Sequence, residues 1–501
     1  MSRSIKRPEY RRPAAHPKAA QVPHRLQKAF ALLREGRLAQ AELNFGQILK
    51  IDPLQFEALN CLGMIAGQTG NSARAAIWFD KAIRADSTRV HAYVNRGLAL
   101  HACMQLEAAL ASYEDAIRVQ SDYTDAHFNR GNVLLELGRL PEALASYDAT
   151  IALDPERADA RGNHGVVLSL LRRFTAAVES FNHAIRLRPE HGKWYLNRAF
   201  ARLIQGDFSN GWADYEWRGT DTSSPAHREF SKPRWNGSEP LVGRTVLLWS
   251  EQGFGDTIQF CRYVQLLAAA GGRVLLEVQR PLLSLLANLE GTTQVLAKGE
   301  APPPFDLHSP LLSLPLAFGT GLESIPLPRS YLRSDPRKSA QWRQRLGEKT
   351  RPRVGLVWSG SATNRTERHR RVPLAELLGQ LPPEYEYFRL QKDGHPEDLQ
   401  VLRQNSRVRD FSTEFNDFSD TAALCDSMDV IVSTCTSVAH LSAALGVRTF
   451  VLLGQVPDWR WLLERSDSPW YASVQLFRRG PAEDWRCVLE RLARELTSAL
   501  G

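Results

Sequence analysis

Two short stretches carry the residues with chemistry to offer. In Glu251-Gln-Gly-Phe-Gly-Asp256, the glycines Gly253 and Gly255 follow the apolar run Thr245–Trp249 and precede the apolar-periodic segment Ile258–Ala270. That order reads as a buried strand, a glycine loop and a helix. Glycines here let the backbone turn sharply and leave room for a ligand beside a helix N-terminus. Gln252 then lies on the loop and Asp256 at the carboxyl end of the strand. An aspartate in this place also serves well as a helix N-cap. The spacing lacks the Gly-x-Gly-x-x-Gly of dinucleotide-binding dehydrogenases.

The second stretch is Cys435-Thr-Ser-Val-Ala-His440, which follows the apolar segment Asp429–Ser433 and opens a helical segment Ser437–Leu445. A helix starting there presents the hydroxyls of Thr436 and Ser437 and unsatisfied backbone N–H groups to an anion. Its dipole contributes only about 0.3–2 kcal/mol, so cationic side chains should add to it. Arg371 and Lys392 are the first candidates, followed by Arg365, Arg368 and Arg370 in the loop after Gly360. His440, in the first turn of that helix, is either a ligand contact or a packed histidine.

The elements that must position these residues form an α/β pattern. Short apolar strands are expected at Thr245–Trp249, Arg273–Val278 and Gln294–Ala297, with a helix over Pro281–Leu289. A charged connector follows, and the pattern restarts with Val354-Gly-Leu-Val-Trp-Ser-Gly360. Helices are then expected at Pro373–Leu381, Asp420–Met428 and Ser437–Leu445, and strands at Tyr387–Gln391, Asp429–Ser433 and Thr449–Leu453. Alternating strands and helices build parallel sheets. Two such halves place a ligand in the cleft outside the carboxyl ends of their strands.

Upstream the chain repeats itself every 34 residues, the period at which helix pairs stack into a solenoid. Gly63, Gly97, Gly131 and Gly165 form one register, Ala41, Ala75, Ala109, Ala143 and Ala177 a second, and Phe45, Phe79, Tyr113, Tyr147, Phe181 and Tyr215 a third. The small residues suit a close helix crossing, and the aromatic is expected to fill the gap to the next unit. Gly36, Gly70, Gly138 and Gly206 mark turns, while Pro53, Pro155 and Pro189 stop second helices. Asn60, Asn95, Asn129, Asn163 and Asn197 lie nearly in phase on first helices, where they either line an inner face or bond between helices. These registers resemble tetratricopeptide repeats over residues 22–218, about six units.

With 501 residues, 43% hydrophobic and 24% charged, the chain has the composition of a multidomain globular protein. No run approaches the roughly 18–20 apolar residues of a membrane span. Seven Lys/Arg and one acid within residues 1–25 supply six of the eight net positive charges. The remainder is near neutral, so its charge says little about polyanion binding, and no nucleic-acid partner is expected. The six scattered cysteines show neither disulfide nor metal spacing, which suits reduced thiols and the cytoplasm. The expected organisation is a disordered basic tail (1–21), repeats (22–218), a linker (219–243), a first half (244–335), a connector (336–352) and a second half (353–501).

Glu251–Asp256, Val357-Trp-Ser-Gly360, Leu390-Gln-Lys392, Thr436–His440 and Pro457-Asp-Trp-Arg-Trp461 resemble the motifs of bacterial tetratricopeptide-repeat proteins with a glycosyltransferase family 9 domain. That family is related to the lipopolysaccharide heptosyltransferases. The resemblance implies an all-α repeat solenoid followed by a GT-B module of two Rossmann-like halves, and metal-independent sugar transfer with no cofactor beyond a nucleotide-sugar donor. It implies Asp256 as general base, with Gln252, Gly253 and Gly255 in an acceptor-side loop. The donor diphosphate would be held by Ser359, Gly360, Arg371, Lys392, Thr436, Ser437 and His440. A protein or peptide partner is expected in the repeat groove. One departure stands out: relatives carry Asp before the Thr-Ser pair, where this chain has Cys435, a poor acceptor for sugar hydroxyls. Trp459 and Trp461 either pack the core or stack on the nucleotide base. The alternative to an enzyme is a protein-binding scaffold whose transferase module has decayed.

Overall fold

The computed structural model describes residues 18–220, 227–360, 370–480 and 483–501. Most of the basic tail lies outside the described residues, as do Arg365 and Arg368. The chain forms two compact units, one ending at Arg188 and one beginning at Pro189. All six cysteines are free thiols. Among the described residues no helix is long and apolar enough to cross a membrane.

The first unit is a run of antiparallel helix pairs: α1 (Val22–Arg34), α2 (Leu38–Leu49), α3 (Phe56–Gln68), α4 (Ser72–Ala85), α5 (Val90–Ala102), α6 (Leu106–Val119), α7 (Thr124–Glu136), α8 (Leu140–Leu153), α9 (Ala158–Leu170) and α10 (Phe174–Leu187). The glycine and aromatic registers meet inside each pair. A Cβ added to Gly63 would stand 2.6 Å from the Phe79 ring, and one on Gly165 would stand 2.7 Å from Phe181. The aromatic therefore fills the crossing of its own pair, not the gap to the next as expected, because its ring reaches back over the first-helix glycine.

The turn register is more regular in the backbone than in residue type. Gly36, Gly70 and Gly138 turn with φ of +72°, +80° and +74°, and Met104 (+58°) and Arg172 (+61°) hold the same left-handed turn without a glycine. A side chain in that region costs about 1–2 kcal/mol, partly offset by the smaller unfolded-state entropy of a non-glycine residue. Met104→Gly and Arg172→Gly are each expected to raise the stability of the array by about 0.5–1 kcal/mol in urea denaturation. Unchanged midpoints would show that the turn is not strained.

A further 34-residue register emerges from the contacts. Arg96 Nε donates to Ser112 Oγ at 2.8 Å, while its guanidinium stands 3.0 Å from Asp115 and 3.5 Å from Asp80 of the preceding pair. Arg130 repeats this with Ser146 (2.8 Å) and Glu114 (3.4 Å), and His164 with Ser180 (2.8 Å) and Asp148 (3.0 Å). Each first-helix base thus ties its own pair to the one before. Of the asparagines, Asn163 donates to Asn132 Oδ1 at 2.9 Å and Asn60 is buried, so part of that set bonds between or within helices.

The second unit opens with one more helix pair, α11 (Gly192–Leu203) and α12 (Phe208–Tyr215), built onto two parallel sheets. The four-stranded sheet has the order β3-β2-β1-β4, with β1 Thr245–Trp249, β2 Arg273–Val278, β3 Thr292–Ala297 and β4 Leu307–Pro310. The six-stranded sheet has the order β10-β9-β8-β5-β6-β7, with β5 Arg353–Val357, β6 Glu386–Arg389, β7 Val408–Asp410, β8 Val430–Thr434, β9 Thr449–Leu453 and β10 Val474–Arg478. Strands β5, β8 and β9 are buried throughout, as parallel strands covered on both faces must be. In each sheet the chain reverses direction of growth beside the first strand, β1 or β5, which is where open parallel sheets leave a crevice.

Several expectations need correction. The helix expected over Ile258–Ala270 begins earlier and is broken: α13 (Phe254–Phe260), one 3-10 turn, then Val264–Ala269. Strands β4, β7 and β10 and the helices Pro396–Gln404 and Trp485–Leu500 were not read, β4 because a four-residue strand leaves little periodic signal. The expected connector contains a helix, Pro336–Leu346, capped by Asp335 and closed by Gly347 at φ +77°. The stretch expected as a linker is also anchored, since Arg228 grips the buried Glu277 on β2 through both carboxylate oxygens.

Aromatic and ionic contacts build α11 and α12 into this unit. Trp212 Nε1 donates to the Thr320 carbonyl at 2.8 Å, and its ring lies 5.2 Å from that of Trp459. Trp217 stacks on Tyr195 at 4.0 Å, and Trp235 meets Phe318 edge-on at 5.4 Å. Arg218, just after α12, is buried against Glu251, the residue that opens the glycine loop.

Candidate functional site

The early start of α13 decides where Asp256 points. It is the third residue of the helix, whose N-cap is Gly253, and its Oδ2 accepts the Gly253 N–H at 2.9 Å, closing the helix start from within. Its Oδ1 accepts from the guanidinium of Arg460. Arg460, in the turn after β9, also donates to Gln259 Oε1 at 2.6 Å and to Asp458 Oδ1 at 2.9 Å, and lies over the Trp459 ring at 4.3 Å. One buried arginine from the six-stranded half therefore grips two residues of α13 in the four-stranded half.

Gly255 lets the halves meet this closely. A Cβ there would stand 2.9 Å from His440 Cδ2 and 3.5 Å from the Ser437 Cα, so α13 rests directly on the start of helix Ser437–Ala444. His440 is buried, bonded through Nδ1 to the Tyr471 hydroxyl at 2.9 Å and stacked on Trp461 at 5.3 Å. Trp461 Nε1 in turn donates to Cys435 Sγ at 3.1 Å. Trp459 and Trp461 are buried in this wall, which is the packing role.

Two hollows abut along this line. One, about 450 Å³, is lined by Gln252, Gly253, Gly255, Asp256, Cys435 and His440, with Arg370, Asp458 and Arg460 and, from the last helix pair, Phe200 and Tyr215. The other, about 330 Å³, is lined by Ser359, Lys392 and Gln391 at the ends of β5 and β6, and by Phe415 and Phe418. Phe254, Gly360, Thr436 and Ser437 belong to both. Lys392 is anchored by a 2.8 Å bond from its ammonium to the Phe415 carbonyl. A larger hollow of about 660 Å³, near Asn288 and Arg333, holds none of the expected site residues.

Among the described residues, every expected site residue except Arg371 lines one of the two abutting hollows. Arg371 turns away, donating to Asp398 at 2.7 Å and to Glu397. The reason is the unread helix Pro396–Gln404, whose first turn presents both carboxylates to it. Its neighbour Arg370 lines the first hollow instead, with its guanidinium 4.0 Å from Asp458. The residues missed from sequence are Arg460, Asp458 and Gln259. The first two stand in Pro457-Asp-Trp-Arg-Trp461, where the Asp-x-Arg pair was the signal and the flanking tryptophans drew attention away.

The charges are strongly shaped by burial. Burial pushes the Asp256 carboxyl above the usual carboxylate range; Arg460 opposes this and Asp458 adds to it. Asp458 is itself held low, because Arg460 and Arg370 outweigh its burial. Burial, and then Asp458, raise the Cys435 thiol, so it is uncharged at neutral pH.

Burial pushes His440 down to about 3 and His308, on β4, down to about 4. The unfolded chain binds protons at both from about pH 6.5 downward while the folded unit does not, so stability is complete above pH 6.5 and falls below it. Between pH 7 and pH 5 the expected loss is about 2 kcal/mol per histidine, read by urea denaturation of the unit. A flat profile would mean that these rings take up protons without unfolding.

Comparison with known proteins bears on the repeats most directly. A family model described as tetratricopeptide repeat matches residues 26–90 and 105–158, and a second matches 158–191. Protein FlbA of Caulobacter vibrioides (strain ATCC 19089 / CIP 103742 / CB 15) is 28% identical over 327 residues, covering 60% of this chain and 54% of FlbA. The chain thus spans about half the length of that curated relative. Among solved structures, MamA is 25% identical with a TM-score of 0.32, covering 33% of this chain and 96% of its own. YrrB, described as a TPR protein with an unusual peptide-binding site, is also 25% identical with a TM-score of 0.32, covering 36% of this chain and 95% of its own. The N-terminal array is therefore built of tetratricopeptide repeats, and it is followed by an α/β region of parallel sheets.

Proposed function

We propose that this chain is a glycosyltransferase of the two-halved GT-B type, similar to the family 9 heptosyltransferases, whose repeats recruit a protein or peptide acceptor. The observation that carries the reading is that Asp256 shares one hollow with Arg370 and with Thr436 and Ser437 at the start of helix Ser437–Ala444. A nucleotide-sugar lies in the hollow of Ser359, Gly360 and Lys392, with its diphosphate at Thr436 and Ser437, where helix N–H groups and hydroxyls meet an anion. Arg370 takes the part expected of Arg371. Asp256 accepts the proton of the acceptor hydroxyl as its oxygen bonds to the anomeric carbon, and the bond from that carbon to the diphosphate breaks. A raised carboxylate in a partly dry pocket suits such a base, worth roughly 10²–10⁴ in rate. No step of this scheme calls for a metal. Six unpaired thiols and a nucleotide-sugar substrate both fit the cytoplasm.

A scaffold role is the second reading, and Cys435 favours it. Where relatives carry a carboxylate for the donor sugar, this chain presents a neutral thiol already engaged by Trp461.

The deciding experiment is a thermal-shift panel of nucleoside diphosphates and nucleotide-sugars on wild type and Cys435→Asp. Stabilisation by one nucleotide, strengthened for its sugar conjugate in Cys435→Asp, supports the transferase. Silence across the panel leaves the scaffold. With the donor in hand, Asp256→Asn is expected to lower turnover about 10²–10⁴-fold with donor affinity nearly unchanged; unaltered turnover would remove Asp256 as base.

A further inference from the structure

We propose that Arg460 is the positioning residue of this site, fixing the Asp256 carboxylate and keeping it charged while holding the two halves in register. The inference deepens the transferase reading and rests on it for the role of Asp256. Its geometric basis stands alone.

The guanidinium is buried and its donors are divided between the halves. Asp256 and Gln259, one turn apart on α13, receive two of them, and Asp458, two residues before Arg460, receives another. A planar fork with fixed angles can serve these three acceptors together only in one arrangement of the halves. The rings of Trp459 and Phe260 lie 4.3 and 5.8 Å from the cation and restrict it further.

The electrostatic consequence follows from what surrounds Asp256. Asp458 faces it with like charge. Tyr215 of α12 and His440 of helix Ser437–Ala444 line the same hollow without positive charge at neutral pH. Arg370 is the second cation of the hollow, engaged with Asp458. Burial and Asp458 thus both favour the protonated acid, which cannot accept a proton, and Arg460, ahead of the Gly253 N–H and Arg370, is the strongest contact favouring the carboxylate. Burial makes the base strong, and the arginine keeps it available.

The test is a double-mutant cycle on the full chain combining Asp256→Asn with Arg460→Gln, and Arg460→Lys as a variant that keeps the charge but loses the fork. Thermal and urea unfolding at pH 7 need no ligand. Arg460→Gln is expected to lower the melting temperature roughly twice as far when Asp256 is present as in Asp256→Asn. Additive shifts would overturn the proposal, and Arg460→Lys keeps it testable if Arg460→Gln fails to fold.

The second readout is the pH profile of nucleoside diphosphate release from the nucleotide-sugar that stabilises the protein. Its acid limb is expected to move to higher pH in Arg460→Gln and to stay near wild type in Arg460→Lys. If Asp256→Asn abolishes release but the limb of Arg460→Gln matches wild type, the transferase reading stands and the role of Arg460 is refuted. If wild type releases nothing, the transferase reading fails, and the cycle still decides whether Arg460 holds Asp256.

Discussion

Replacing Arg218 with methionine is expected to cost the second unit about 3–5 kcal/mol, enough to remove much of its stability. Arg218 is 6% exposed and Glu251 is 2% exposed. The guanidinium donates to both oxygens of Glu251, at 2.8 and 3.1 Å, and to Ser313, Glu216 and the Tyr215 carbonyl. Without it, Glu251 keeps among the described residues the long 3.3 Å bond from the Leu312 N–H and must hold a buried charge or take up a proton.

That choice gives the loss a pH signature. Burial already raises the Glu251 carboxyl, with Arg218 pulling it down. In Arg218→Met the folded-state value rises further above the unfolded one. The folded variant then binds more protons, so its deficit shrinks as pH falls and is largest at neutral pH and above. Arg218→Met combined with Glu251→Leu should recover most of the stability, because an apolar pair replaces an unpaired charge. The measurement is urea denaturation of the three variants at pH 7 and pH 5. A loss below about 1 kcal/mol, the worth of a surface pair, would show that the network is not buried in solution.

A fragment starting at Pro189 is expected to fold with a cooperative melt, whereas one starting at Gly219 should bind a hydrophobic dye and aggregate. The expected repeat-to-linker boundary makes the second fragment the natural one to build. The contacts argue otherwise. Deleting α11 and α12 removes Phe208, Trp212 and Tyr215, each at most 3% exposed, and uncovers Trp459 and Trp470. It also removes Arg218 from Glu251. Burying an aromatic side chain contributes on the order of 2–3 kcal/mol, so three of them together are comparable to the usual margin of a domain. Circular dichroism melts and size-exclusion profiles of the two fragments decide the point, and equal behaviour would sink it.

Legibility in the sequence followed the range of the interactions. The 34-residue registers were readable because each repeat buries its own glycine against its own aromatic 16 residues later, a relation that recurs with the period. The strands beside the glycine loop and before Thr436 were equally plain, since a covered parallel strand is an unbroken apolar run. The Arg96, Arg130 and His164 ladder was present in the same period but carried no distinctive residue class. Each base meets a serine hydroxyl and a carboxylate of the preceding pair, types common on any helix surface, so it appeared only as contacts.

The sequence by itself determined the two-part plan of repeats followed by an α/β region, the repeat period and the loops that supply part of the candidate cleft's lining, because those depend on local periodicity and on where strands end. Tertiary structure alone decided how they are used. Arg371 was claimed by carboxylates on a helix with a weak signal. Asp256 was joined to Arg460 across 204 residues of chain, and the last helix pair was drawn into the α/β unit by Trp212 and Arg218. In each case the deciding partner is distant in sequence, and burial makes its charge or ring count far more than it would in water.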